Sequence, residues 1–257
     1  MTRDAKRFLI VVGVAVALIA CVSLIFTLLG VGGSAVGEFK DYEVTGEVKL
    51  LEVEIGAADF RIEKGEEFSV RSNLNRLTFR QTGSKLIISE SSFGNRNYDG
   101  AELVIYIPDG TVFSEVDITT GAGRFTAEKL SAERLDLEFG AGEVNIGELN
   151  ASVEADIEGG AGKITIGGGS LCNLSFEMGV GELNLASAIV GNSELDLGVG
   201  EANITLLGSM DDYTLDLNKG IGDIRLDGES VSGGKIGSGE NKVEINGGIG
   251  SINLFFK

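Results

Sequence analysis

Acidic residues at alternate positions recur along this chain: Asp117, Asp136 with Glu138, Asp156 with Glu158, Glu177, and Glu194 with Asp196. Paired carboxylates can do general acid–base work, hold a hard cation, or repel one another on a solvated face. Their spacing bears on which. Each pair stands four and two residues before a Gly-x-Gly, at Gly140, Gly160 and Gly198 among others, so the pairs belong to a repeat and not to one reaction centre. Stacked in register, Asp136, Glu138, Asp156 and Glu158 would form a surface ladder of oxygen ligands, suited to Ca²⁺ or to a cationic peptide or protein. The plainer alternative is a salt-screened face that opposes aggregation. Either way there is strain, because two unit charges about 5 Å apart repel by about 0.8 kcal/mol in water.

The chemistry left out is as informative. The 257 residues contain no histidine, which removes Ser-His-Asp and Cys-His catalysis and His-ligated metals. With 21 Lys and Arg against 39 Asp and Glu, the net charge is −18, so nucleic acid is not an expected partner. The stretch GAGKIT at Gly160 lacks the Ser or Thr that a phosphate-binding loop needs after Lys163, and Ile164 stands there instead. The GGxGxD nonapeptide of calcium-binding repeats is also absent. Cys172, in SLCNLSF, has the surroundings of a small packed side chain.

The elements that would position the carboxylates follow from the glycines. Gly-x-Gly begins at Gly121, Gly140, Gly160, Gly179, Gly198, Gly220 and Gly248, with a degenerate copy at Gly56. Three residues before stand Val53, Ile118, Leu137, Ile157, Phe176, Leu195, Leu217 and Ile245. Four after stand Phe60, Phe125, Val144, Ile164, Leu183, Ala202, Ile224 and Ile252, with a further apolar residue two beyond each. This is the period of two short strands with one buried face, and the parity shift between them requires a corner at the second glycine. Origins from Gly121 to Gly198 lie 19, 20, 19 and 19 residues apart. The expected fold is therefore all-β: a parallel β-solenoid with coils of about 19–20 residues, each burying its apolar face against its neighbours. Leu130, Leu149 and Leu207 would pack a further corner. The wider later gaps imply loops near Met210–Asp212 and Val231–Glu240, and Glu63 to Asp109 an irregular cap. An antiparallel sandwich with Gly-x-Gly in its hairpins is the rival.

Four segments result. Residues 1–7 are basic. Residues 8–29 are uncharged and, as a helix of about 33 Å, long enough to span a bilayer. Residues 30–47 are a Gly-rich, polar tether, and residues 48–257 the repeat domain. Arg3, Lys6 and Arg7 favour a cytoplasmic N-terminus, which puts the domain outside. LIAC at Leu18–Cys21 offers lipidation at Cys21 as the alternative anchor.

LVIYIPDG, followed by copies of the DLEFGAGEVNIGEL kind, resembles a family of bacterial domains proposed to be adhesins, over roughly Val48 to Phe256. The resemblance implies a β-strand repeat domain in the cell envelope, often on a membrane anchor, with no catalytic motif and no known biochemical function. Together these expectations describe a single-pass bacterial membrane protein that displays an acidic binding, adhesion or envelope-sensing module. Its partner would be an envelope component or a cationic peptide or protein. The alternative is an extracytoplasmic carbohydrate-active enzyme working with carboxylates alone.

Overall fold

The computed structural model describes residues 34–90 and 97–257. The predicted spanning segment at residues 8–29 and the basic residues 1–7 lie outside the described residues. Among the described residues no helix is long and apolar enough to cross a membrane.

The described chain is nearly all β. Its strands are β1 (Val36–Glu43), β2 (Leu50–Gly65), β3 (Ser69–Leu74), β4 (Leu77–Thr82), β5 (Lys85–Glu90), β6 (Glu102–Pro108), β7 (Phe113–Ile166), β8 (Gly169–Cys172), β9 (Leu174–Val190), β10 (Asn192–Leu206), β11 (Tyr213–Asn218), β12 (Ile221–Leu226), β13 (Glu229–Val231), β14 (Gly234–Gly237) and β15 (Asn241–Phe256). Strand β2 pairs with β7, β7 with β9, β9 with β10, and β10 with β15, all in parallel. Gly-x-Gly, or its degenerate copy at Gly56, lies beside Gly-x-Gly in each pair, as with Val199 beside Val180 and Gly200 beside Gly181. The glycines are thus corners in a solenoid-like stack and not hairpin turns, and the sandwich alternative falls.

Each coil turns from one wall to the other at its second glycine. Gly142 has φ +140°, a region closed to most side chains, and its counterparts in the neighbouring coils match it. The first glycine has a different reason to be glycine. A Cβ on Gly140 would overlap the backbone carbonyl of Gly121 in the coil below. Between the walls runs one apolar seam. All the core positions named above are buried, from Val53 to Ile252, because the two strands of each coil turn their period-two apolar faces towards each other. Leu130 and Leu149 are buried as expected, whereas Leu207 is half-buried and Leu206 fills the interior beside it.

One expectation needs correction. Residues 36–43 are not tether: they form β1, paired with β3, and Ala35 is already buried. The domain therefore begins well before residue 48. Coil order also departs from chain order at one end. The last strand, β15, lies between β10 and the coil made by β11 and β12. The extra residues expected as loops do specific work here. Met210–Asp212 form a 3₁₀ turn, capped by the Ser209 hydroxyl and the Asp212 carboxylate, that carries the chain over one coil's place. Strands β13 and β14 then return antiparallel, and Asn241 begins the coil that fills the place left open.

Antiparallel strands close both ends. At the N-terminal end β5 and β4 extend one wall, and β6, β3 and β1 extend the other. Tyr42 stacks on Phe79 with ring centroids 5.0 Å apart, and the Gln81 side-chain amide donates to the Thr45 carbonyl at 2.6 Å, so the walls meet. Short strands do the same at the other end, which limits the open edge available for unwanted pairing.

Candidate functional site: a carboxylate wall

Residues outside the seam on the wall before the glycines form two rows. One runs Glu52, Asp117, Asp136, Asp156, Ser175, Glu194, Glu244 and Asp216 in spatial order. The other runs Glu54, Thr119, Glu138, Glu158, Glu177, Asp196, Asn246 and Asn218. All four residues singled out by spacing, Asp136, Glu138, Asp156 and Glu158, meet at the centre, Asp136 against Asp156 and Glu138 against Glu158. The inserted coil exchanges the order of Glu244 and Asp216 but leaves the rows continuous.

The electrostatics follow from the stacking. Partial burial first, then the neighbouring carboxylates of the ladder, raise the pKa of Asp117, Asp136, Glu138, Glu158, Glu177 and Glu194 above the ordinary carboxylate range. The Thr119 hydroxyl donates to Glu138 and works in the opposite direction. Among the described residues, cations pair with the first row only at its two extremities. Lys85 of β5 reaches Glu52 at 2.7 Å, and Lys235 of β14 reaches Asp216 at 3.7 Å. Among the described residues no lysine or arginine pairs with the carboxylates between them. Nor do any three Asp, Glu or Cys side chains there converge on one point where a metal ion could sit. The wall is an extended anionic surface and not a chelating cage.

The opposite wall is built differently, and spacing alone missed one of its rows. Arg124 pairs with Glu143 at 3.4 Å and Lys163 with Glu182 at 3.0 Å. Hydrogen bonds from Asn145 and from Asn184 respectively, together with those cations, hold Glu143 and Glu182 below the usual carboxylate range. Beside them runs an amide ladder in which Asn253 donates to Asn203 at 2.9 Å and Asn203 to Asn184 at 3.1 Å. Cys172 is half-buried, and its Sγ accepts the Asn173 side-chain amide at 3.4 Å.

A parallel stack of glycine-cornered coils, capped at both ends and acidic on one wall, defines the class. Residues 47–254 match the family described as Toastrack DUF4097, and the chain belongs to that family. No curated protein matches it. Among solved structures the chain is similar to a proposed adhesin from Parabacteroides merdae, at 16% identity over 87% of this chain and 98% of that one, with a TM-score of 0.46. It is also similar to a proposed lipid binding protein from Parabacteroides distasonis, at 15% identity over 88% of this chain and 99% of that one, TM-score 0.46. A proposed cell adhesion protein from Clostridium sporogenes shares 16% identity over 86% of this chain and 99% of that one, TM-score 0.40.

Proposed function

We propose that this protein is a single-pass protein of the bacterial cell membrane, anchored by residues 8–29, and that it displays its β-solenoid outward as a non-catalytic binding or adhesion module. The carboxylate wall is the surface that meets the partner, and the partner is cationic: a basic peptide, a basic protein of the envelope, or a row of divalent ions. One observation carries this reading. Among the described residues, the two acidic rows are free of paired cations along their middle and closed by lysines only at the extremities of one of them. Such a surface attracts positive charge over its whole length. Support for a non-catalytic role comes from the same geometry, since these carboxylates repeat along a wall and do not converge as an acid–base pair.

The test is binding of an oligolysine probe to the full chain in detergent, beside a variant with Asp136→Asn, Glu138→Gln, Asp156→Asn and Glu158→Gln. Binding should weaken in the variant and with added salt. Equal binding by both proteins would remove the wall from the function. Orientation is tested separately by adding protease to intact cells, which should digest the domain and spare the N-terminus. A domain protected until the cells are permeabilised would reverse the topology.

A further inference from the structure

The residue between the two glycines of each corner changes in size along the stack. From Ala57 to Ala161 it is alanine, and then, in spatial order, Val180, Val199, Ile249 and Ile221. The last three form a contiguous apolar ridge, with Val199 38%, Ile249 41% and Ile221 67% exposed. Lone apolar side chains at a surface are ordinary, whereas branched ones stacked in adjacent coils make a patch. Charge recedes where the ridge is largest. On the two flanking outer rows Asp196 and Glu201 accompany Val199, but Asn246 and Ser251 accompany Ile249. Asn218 and Asp223 accompany Ile221, and Asp223 is paired with Lys219 at 3.4 Å.

The chain enters the fold on the same edge. Ala35 donates its amide to the Asn97 carbonyl at 2.9 Å, and the Tyr98 hydroxyl donates to Glu90 Oε1 at 2.9 Å. Glu90 Oε2 in turn accepts the amide of Gly56, the first corner, at 3.1 Å. Ser34, bridged to Asn97, therefore lies beside that corner. Residues 30–33 separate it from the end of the apolar segment 8–29. Five Cα steps reach at most about 18 Å. Seven coil spacings of about 4.8 Å, about 34 Å in all, lie between the corner at Gly56 and Ile221.

We infer that the corner edge lies along a lipid surface, with Val199, Ile249 and Ile221 seated among the headgroups of the bilayer that holds the anchor. The inference rests on the single-pass reading proposed above. The short connection holds one end of the edge within about 18 Å of the bilayer, and the ridge supplies an apolar contact at the other. The headgroups that suit it are zwitterionic, because the net negative charge of the protein repels anionic lipid. In this posture the carboxylate wall stands beside the membrane and stays open to its partner.

The experiment uses the full chain with Cys21→Ser and Cys172→Ser, reconstituted at high dilution in phosphatidylcholine vesicles. A fluorophore on Ser251→Cys, beside Ile249, reports on the ridge. One on Ser152→Cys, exposed on the opposite edge, is the control. Nitroxide-bearing phosphatidylcholine should quench the first label several-fold more than the second. Val199→Ser, Ile249→Ser and Ile221→Ser together should abolish that difference. Equal quenching of the two labels, or a difference that survives the three substitutions, overturns the inference. So does shielding of the first label that grows with the density of chains and brings no quenching by lipid, since the occupant is then a second copy. Anchorage is read separately, by floating the vesicles after an alkaline wash. A chain lost from the vesicles sinks the single-pass reading and the inference with it, whereas a chain retained without quenching at the ridge sinks the inference alone.

Discussion

The side-chain amide of Asn246 donates to Asp196 Oδ1 at 2.7 Å and to Glu194 Oε1 at 3.0 Å, bridging β15 and β10. Its own oxygen accepts the Asn218 amide at 2.9 Å. An amide therefore ends the second acidic row where a carboxylate would have continued it. Asn246→Asp removes two donors and adds a like charge, so it should destabilise the protein by about 1–3 kcal/mol at neutral pH. The loss should shrink in mild acid. Thermal melts of both proteins at the two pH values measure it, and equal melting throughout would show that the amide does not relieve the row.

The two glycines of a corner should fail for different reasons. Gly142→Val places a β-branched residue at φ +140° and against the Gly123 carbonyl, at a cost of at least about 1–3 kcal/mol. Gly140→Ala should also destabilise, although its backbone angle is not restrictive, because the new methyl meets the Gly121 carbonyl. Asn145→Val, half-buried on an outer face, should cost about 0.5 kcal/mol or less. Urea midpoints of the three variants give the ranking. A Gly140→Ala variant as stable as wild type would mean that the coils do not stack this closely.

The two walls should respond oppositely to pH. Asp136, Glu138, Glu158 and their raised neighbours have folded pKa values above the unfolded ones. Their contribution favours folding below the unfolded pKa and is lost as pH rises through the folded value. Glu143 and Glu182, held low, contribute above the unfolded pKa and lose that contribution as pH falls through the folded value. Both side chains are open to solvent over much of their surface, and solvent screens them. The protein should therefore gain stability from neutral pH into mild acid, and salt should narrow the difference. Substituting Asp136, Glu138, Asp156 and Glu158 by their amides should flatten the profile. A variant that keeps the wild-type pH dependence would show that the rows are not coupled.

Tyr213 tests the step over the coil place that β15 fills. Its buried hydroxyl donates to the Leu207 carbonyl at 2.8 Å and accepts the Ile189 amide at 3.3 Å. Tyr213→Phe leaves both groups without that partner and should cost about 1–3 kcal/mol. Hydrogen exchange should quicken at Ile189 and across residues 210–237 while β7 stays protected. Uniform loss of protection would instead mean that this end does not open independently.

Much of this architecture is legible in the sequence. The apolar positions around each Gly-x-Gly define the wall, the seam and the corner, since burial on one face leaves a strand no freedom of register. The carboxylate rows follow from stacking equal coils. Coil order does not. The pattern around Gly220 and that around Gly248 are alike, so either coil fits on β10 by periodicity. The choice rests on the Ser209–Tyr213 step and the β13–β14 return, whose contacts are long-range. The first strand escaped notice because VGEFKDYE is mostly exposed and shows no alternation. Its place depends on β3, including the Arg71 guanidinium lying 4.9 Å from the Phe39 ring centre.

The parallel ladders place the backbone hydrogen bonds between coils along the long axis of the stack. Tension between the two ends would therefore load those bonds head-on, opening one coil boundary at a time in place of shearing many together. A released coil of about 19 residues extends to about 65 Å, many times its stacked rise of about 4.8 Å. Stretched in a single-molecule experiment, the protein should lengthen in steps of that order at modest force. The inserted coil makes an exception at one end: pulling on β15 must break the ladders on both of its sides together, so the first rupture there should need more force than those that follow.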